Sequence, residues 1–214
     1  MRYKAIIWDL DGTLLDTLQD LHIAVNHALR HCGMPQRTLD EVRRFVGNGV
    51  RRLIVLSVPR GEENPMFEEV FATFKSYYVQ HCQENTCLYA GIQDTLTELR
   101  RRGYRMAIVS NKLQAGVTEL YDAYFRDTIE VAVGESPEVR RKPCADMVEQ
   151  ALERLGVRPC DAVYVGDSEV DVATARNASL PCISVLWGFR DRATLADCGA
   201  TQFAATPHDI LEMV

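Results

Sequence analysis

Apolar residues run unbroken from Ala5 to Trp8 and stop abruptly at Asp9, the pattern of a strand buried on both faces of a parallel sheet. Helical spacing follows, with Leu18, Leu21, Val25, Ala28 and Leu29 on one face and Gly33 placed to end the helix. Thr38 with Glu41 three residues later forms a capping box for a second helix reaching about Val46. Gly47-Asn48-Gly49 interrupts that pattern, which resumes through Leu53, Ile54 and Val58. Pro59, Gly61 and Pro65 mark a turn before a long helix from about Met66 to Gln83. Residues 16 to 83 therefore read as helical throughout.

From Leu88 onward, helices alternate with short apolar strands. Ile92 to Arg102 is a helix stopped by Gly103. Tyr104 to Val109 is a strand ending in Ser110-Asn111-Lys112, and a helix separates it from a strand over Thr128 to Val133. A helix over Ala145 to Leu155 leads to a strand over Ala162 to Val165 ending in Gly166-Asp167-Ser168. A helix to about Ala178, a strand over Cys182 to Leu186 and a short helix near Ile210 complete the chain. This alternation predicts the α/β class: a three-layer, Rossmann-like parallel sheet with right-handed crossovers and helices on both faces. The helical block is then an inserted cap domain over 16–83, and the discontinuous core comprises 1–15 and 84–214.

In open parallel sheets, ligands bind outside the carboxyl ends of the strands. Three predicted strands end in polar residues: Asp9 and Asp11, Ser110 and Asn111, and Asp167, Ser168 and Asp171. If the first strand stays extended, Asp9 and Asp11 point to one side, and Gly12 lets the backbone turn. Two adjacent carboxylates repel unless one is protonated or a cation neutralises them. The pair thus points to a hard, oxygen-seeking cation, a nucleophile with an acid/base partner, or both.

Composition narrows the class. A length of 214 residues allows one α/β unit with an insertion, and 47% hydrophobic with 25% charged residues matches an ordinary globular chain. A net charge of −6 argues against general nucleic-acid binding. The seven cysteines are odd in number, scattered and without a C-x-x-C pair, so they read as reduced thiols rather than as a disulfide framework or zinc site. No apolar run approaches the roughly 18 residues that span a membrane, and no signal-peptide pattern precedes the first strand. The expectation is a cytoplasmic monomer or homodimer without nucleic-acid or membrane partners. The five histidines form no metal pattern, and His27 with His31 reads as an exposed helix face.

Asp9-Leu10-Asp11-Gly12-Thr13, Ser110-Asn111-Lys112, Lys142-Pro143 and Gly166-Asp167-Ser168-Glu169-Val170-Asp171 resemble the four ordered motifs of the haloacid dehalogenase superfamily of phosphatases. The resemblance covers essentially the whole chain. It implies that Asp9 is the nucleophile forming an aspartyl-phosphate, and that Asp11 protonates the leaving oxygen and later deprotonates water. It also implies Mg2+ held by the Asp9 carboxylate, the Asp11 backbone carbonyl and the Asp167 carboxylate, with Asp171 in an outer position near Lys142. Ser110 would bind a phosphoryl oxygen together with backbone amides at the start of the next helix. Lys142 would neutralise charge, and Thr13 and Asn111 would complete the binding set. Read as isolated residues, Ser110 is equally a helix N-cap, Lys142 a solvated lysine and Asp171 the acidic partner of a cap. Ala90 and Ala145 replace prolines common in relatives, at positions that supply no reacting group.

Asp11 argues against dehalogenation, because a departing halide needs no proton. Gly166 stands where related sugar phosphomutases carry Glu, which favours hydrolysis. The helical block, its two connections near Asp16 and Asn85, and the Gly47-Asn48-Gly49 turn ringed in sequence by Arg43, Arg44, Arg51 and Arg52 read as a lid that selects a small carboxylated phosphate. The finer resemblance is to members acting on 2-phosphoglycolate, with Gly47, Asn48, Gly49 and Arg51 expected at the substrate. The alternatives are a pyrophosphatase, a nucleotidase or a mutase of the same superfamily, or a binding protein without turnover.

Overall fold

In the computed structural model, which describes residues 3–214, the first apolar run is strand β1, Ala5–Trp8, with every residue buried. The elements continue as β2 (Leu15–Asp16), α1 (Leu18–His31), α2 (Leu39–Phe45), α3 (Gly49–Ser57), α4 (Phe67–His81) and β3 (Cys87–Leu88). Next come α5 (Ile92–Arg101), β4 (Arg105–Leu113), α6 (Gln114–Tyr124), β5 (Val131–Glu135), α7 (Asp146–Leu155) and β6 (Ala162–Gly166). The chain closes with α8 (Glu169–Asn177), β7 (Cys182–Val185), α9 (Arg192–Asp197), β8 (Gln202–Ala204) and α10 (Ile210–Met213). Met1 and Arg2, which begin the expected core, lie outside the described residues.

The six-stranded sheet has the order β5-β4-β1-β6-β7-β8, and all its pairings are parallel. β1 lies at the centre, with Ile7 opposite Ala107 on one side and Tyr164 on the other. On one face Ala5, Ile7, Ala107, Val109, Ala162 and Tyr164 pack against Met147, Val148, Ala151 and Leu155 of α7. The alternate residues Ile6, Trp8, Met106, Ile108, Val163 and Val165 are equally inaccessible, so both faces are covered and the core has three layers. Strand order reverses at β1, which sets the ligand crevice at the carboxyl ends around Asp9.

Chain contacts divide the molecule into two compact units: Met1–Leu14 with Leu88–Val214, and Leu15–Cys87. In the helical unit, α1 ends as predicted. Gly33 takes φ 66°, and the Met34 amide donates back to the Leu29 carbonyl at 2.8 Å, the closure of a left-handed helix stop. The Thr38–Glu41 capping box is present. The unit is not purely helical, because Leu15–Asp16 and Cys87–Leu88 pair as a short two-stranded ribbon. Asp20 of α1 gathers the far end of the unit. Its carboxylate accepts from the Asn85 amide, the Asn85 side chain and the Thr86 amide at 2.8 to 3.1 Å. His27 is not on an open face: its ring stacks on Tyr77 at 4.0 Å, and Tyr77 stacks in turn on His81.

Two boundaries and two short elements differ from the sequence reading for physical reasons. β4 runs on through Ser110, Asn111 and Lys112, with a register irregularity, because its tip still pairs with β5 at Leu113–Glu135. Gly134 permits that approach, since a Cβ there would fall 2.7 Å from the Gln114 backbone. β5 starts at Val131 rather than Thr128, because the Thr128 amide donates to the Phe125 carbonyl and closes the turn after α6. Helix α9, capped by Asp191 accepting from the Thr194 amide, and edge strand β8 were missed as short elements.

Asp20→Ala is expected to lower the unfolding free energy by about 1 to 3 kcal/mol, since it removes the acceptor of the buried Thr86 amide and of the more exposed Asn85 amide. Urea denaturation measures the loss, and Asp20→Asn, which keeps one acceptor, is expected to lose less.

Candidate active site

Asp9 follows directly from β1, and its amide still donates to Val165 of β6 at 2.9 Å. The chain then leaves the strand: the Leu14 amide donates to the Leu10 carbonyl at 3.0 Å, and Gly12 adopts φ 89°. The extended geometry expected to carry Asp9 and Asp11 to one side therefore ends at Trp8. The two carboxylates meet different lysines. Asp9 Oδ1 lies 2.7 Å from Lys142 Nζ, and Asp11 Oδ1 lies 3.2 Å from Lys112 Nζ.

Lys142 is the hub of a buried cluster. Its ammonium contacts Asp9, Asp171 Oδ1 at 2.8 Å and the Tyr164 hydroxyl at 3.2 Å, and the residue is 3% exposed. The solvated-lysine reading is excluded. Asn111, expected among substrate ligands, instead braces this lysine: Asn111 Oδ1 accepts from the Lys142 amide at 2.8 Å, and its side-chain amide donates to the Lys142 carbonyl at 3.2 Å.

Oxygens of Asp9, Asp167 and Asp171 lie within 4.8 Å of one another, all buried. Asp171 makes two sets of contacts. Its Oδ2 accepts from the Ser168 amide and hydroxyl, completing the capping box of α8, while its Oδ1 takes Lys142 and Tyr164. Thr13, expected at the substrate, is fully buried and donates to Asp167 Oδ1 at 3.1 Å. The Phe189 amide donates to Asp167 Oδ2 at 2.7 Å.

The electrostatics follow from three carboxylates around one ammonium. Burial, then the charge of Asp171, pushes Asp9 well above the usual carboxylate range despite Lys142. Burial and Asp171 likewise raise Asp167 to about 7, against the Phe189 amide and the Thr13 hydroxyl. Burial opposes ionisation of Asp171 too, but Lys142 outweighs it and holds that carboxyl below its ordinary value. Burial pulls the Lys142 ammonium down, yet Asp171 and Asp9 reverse this, so it stays charged. One positive charge cannot balance three negative ones, and the donor set is all oxygen, so the residues present fit a hard divalent cation.

Ser110 is 2% exposed, and its hydroxyl accepts from the Lys112 amide at 3.2 Å. It does not cap the next helix, which begins four residues later at Gln114. The remaining expected residues belong to the helical unit. Gly47 (φ 124°) and Gly49 (φ 75°) flank Asn48 in the turn between α2 and α3. Arg51 is committed within that unit. It pairs with Glu62 and Glu68, each at 2.8 Å, and lies over the rings of Phe67 and Phe71.

The sequence reading missed Tyr164 and the loop after β7. A tyrosine inside a doubly buried strand needs a partner for its hydroxyl, and that was the available signal. The loop gave a weaker one. Gly188 is required because a Cβ there would fall 2.3 Å from Asp167 Cβ and 2.4 Å from the Gly12 carbonyl. The Trp187 indole donates to the Thr13 carbonyl at 2.9 Å, so this loop clamps the first motif and Asp167 together.

A family model for haloacid dehalogenase-like hydrolases matches residues 6–185, a span containing every member of this cluster. The chain belongs to the haloacid dehalogenase-like hydrolases. It is 37% identical over 190 residues to a Rhodobacter capsulatus phosphoglycolate phosphatase, covering 87% of this chain and 85% of that protein. To a phosphoglycolate phosphatase from Chromobacterium violaceum it is 29% identical over 214 residues, covering 98% and 96%. A solved structure from Lactobacillus delbrueckii subsp. bulgaricus superposes with a TM-score of 0.95 at 35% identity, covering 100% of this chain and 98% of that one. CbbY from Rhodobacter sphaeroides, solved in complex with phosphate, shares the haloacid dehalogenase-like fold with a TM-score of 0.77 at 24% identity, covering 97% and 96%.

Lys142→Met is expected to destabilise the protein by about 3 to 5 kcal/mol at neutral pH, because it leaves Asp9 and Asp171 buried without their counter-charge. Denaturant unfolding gives the value. Adding Asp171→Asn to the Lys142→Met chain is expected to recover part of it by removing one of the stranded charges.

Proposed function

We propose that this hydrolase cleaves a small phosphate monoester, 2-phosphoglycolate, through a covalent aspartyl-phosphate on Asp9. The observation that carries the reading is the buried Asp9 carboxylate, held 2.7 Å from Lys142 at the carboxyl end of the central strand. One Asp9 oxygen attacks phosphorus and the bond to the ester oxygen breaks. Asp11 gives that oxygen a proton, then takes one from the water that hydrolyses the aspartyl-phosphate. Lys142 offsets the charge gathered on Asp9 and the phosphoryl oxygens, and Ser110 supplies a hydroxyl to one of them. The Asp9 and Asp167 carboxylates and the Asp11 carbonyl would hold a divalent cation such as Mg2+, which when bound would supply positive charge between the two anions. Asp171 stays outside that set, because both of its oxygens are occupied by protein donors.

Hydrolysis is favoured over mutase chemistry by space as well as by residue type. A Cβ on Gly166 would fall 2.4 Å from the Asp171 carboxyl carbon, so a glutamate cannot stand there while Asp171 holds Lys142. The substrate rests on the relatives from Rhodobacter capsulatus and Chromobacterium violaceum, whose likeness covers most of the chain. The Gly47-Asn48-Gly49 turn is the part of the helical unit we assign to reading the substrate's carboxylate.

Across a panel of phosphorylated metabolites, 2-phosphoglycolate is expected to give the highest kcat/KM. Preference for pyrophosphate or a nucleotide would overturn the substrate and leave the chemistry standing. Asp9→Asn should fold normally and lose turnover, whereas Asp11→Asn should slow it roughly 10^2- to 10^4-fold. Exhaustive chelation should abolish activity. Mg2+ should restore it and Ca2+ should not, because Ca2+ takes more ligands at longer bonds; a full rate after chelation would remove the assigned ligands.

A further inference from the structure

Lys112 has no part in the chemistry described so far, yet it is a buried cation whose side chain is 7% exposed. Its ammonium lies 3.2 Å from Asp11 Oδ1, and no other hydrogen bond holds the Asp11 carboxylate among the described residues. The lysine itself is well fixed. Its backbone lies in β4, its amide donates to Ser110 Oγ, and its stem runs past Gly116 in the first turn of α6, where a Cβ would sit 3.5 Å from Lys112 Cε. Asp11 lies within the turn after β1 and is partly exposed, so by itself it has no reason to keep one rotamer.

We propose that Lys112 is the positioning residue of the acid/base Asp11, holding its carboxyl group by Oδ1 in a single orientation. This rests on the covalent reading given above. With Lys112 held on Oδ1, Oδ2 is the oxygen left free to exchange a proton with the departing ester oxygen. When the phosphorus–oxygen bond breaks, the electron pair goes to that oxygen and the Oδ2 proton follows it. Asp11 is left as a carboxylate against the Lys112 ammonium. General acid help of this kind depends on orientation, and it matters most when the leaving group is a poor one.

The test compares Lys112→Met, Lys112→Arg and Asp11→Asn by kcat/KM, which reports steps through the departure of the leaving group. Three substrates are used: 2-phosphoglycolate, ethyl phosphate, whose leaving group carries no carboxylate, and dinitrophenyl phosphate, whose leaving group departs without a proton. Folding of each variant is confirmed by its unfolding transition. Lys112→Met is expected to lose about 10- to 100-fold more on both alkyl phosphates than on dinitrophenyl phosphate, with Lys112→Arg recovering part of the loss. In an Asp11→Asn background the same substitution should cost little more, because the two act as one unit.

Loss confined to 2-phosphoglycolate would make Lys112 a reader of the substrate carboxylate and overturn the proposal. So would an equal loss on all three substrates, or no loss at all. If Asp11→Asn itself shows no dependence on the leaving group, the acid/base assignment fails instead. The two failures are thus distinguishable.

Discussion

Three carboxylates and one ammonium share a space from which water is nearly excluded, and the rest of the core is arranged around that imbalance. A buried charge without a partner costs several kcal/mol, so Asp9, Asp167 and Asp171 coexist only through what surrounds them. Lys142 bridges two of them, Tyr164 and Ser168 saturate Asp171, and Thr13 with the Phe189 amide holds Asp167. Tight backbone packing makes the arrangement feasible. Gly12, Gly166 and Gly188 each place main chain where a Cβ would collide with the carboxyl groups of Asp167 or Asp171. The charge left over is negative, and an all-oxygen cluster of that charge fits a hard divalent cation.

Sheet topology explains why these residues meet although more than 160 positions separate the first from the last. β1 is central, β4 and β6 flank it, and each delivers a polar tip at its carboxyl end: Asp9, then Ser110 to Lys112, then Asp167. Lys142 arrives from the segment before α7 and is braced by Asn111 of β4, so its position is tied to the sheet rather than to its own loop. The helical unit is organised separately, with Asp20 drawing Asn85 and Thr86 to the start of α1.

Much of this was legible in the residue pattern, because a parallel sheet buried on both faces writes continuous apolar runs. The runs at Ala5 to Trp8 and Ala162 to Val165 gave their strands almost to the residue, and the Thr38–Glu41 cap gave the start of α2. Side-chain partners were another matter, since they depend on contacts across the fold. Thr13 and Asn111 were expected at the substrate but hold Asp167 and Lys142. Arg51 was expected there too but is satisfied by Glu62 and Glu68. Strand alternation misplaced the Asp9–Asp11 relation, because a turn rather than an extended tip follows Trp8. Short elements such as β2, β3, α9 and β8 carry too few residues to show a period.

The charge imbalance is tested most directly by the dependence of unfolding stability on Mg2+, measured in phosphate-free buffer at constant ionic strength after chelation. A cation bound only by the folded cluster stabilises it by about 2.7 kcal/mol at one hundred times its dissociation constant. The account predicts that the wild-type unfolding midpoint rises with the logarithm of Mg2+ concentration, and that Asp167→Asn flattens this rise. A wild-type midpoint indifferent to Mg2+, or a rise that Asp167→Asn leaves intact, would contradict it.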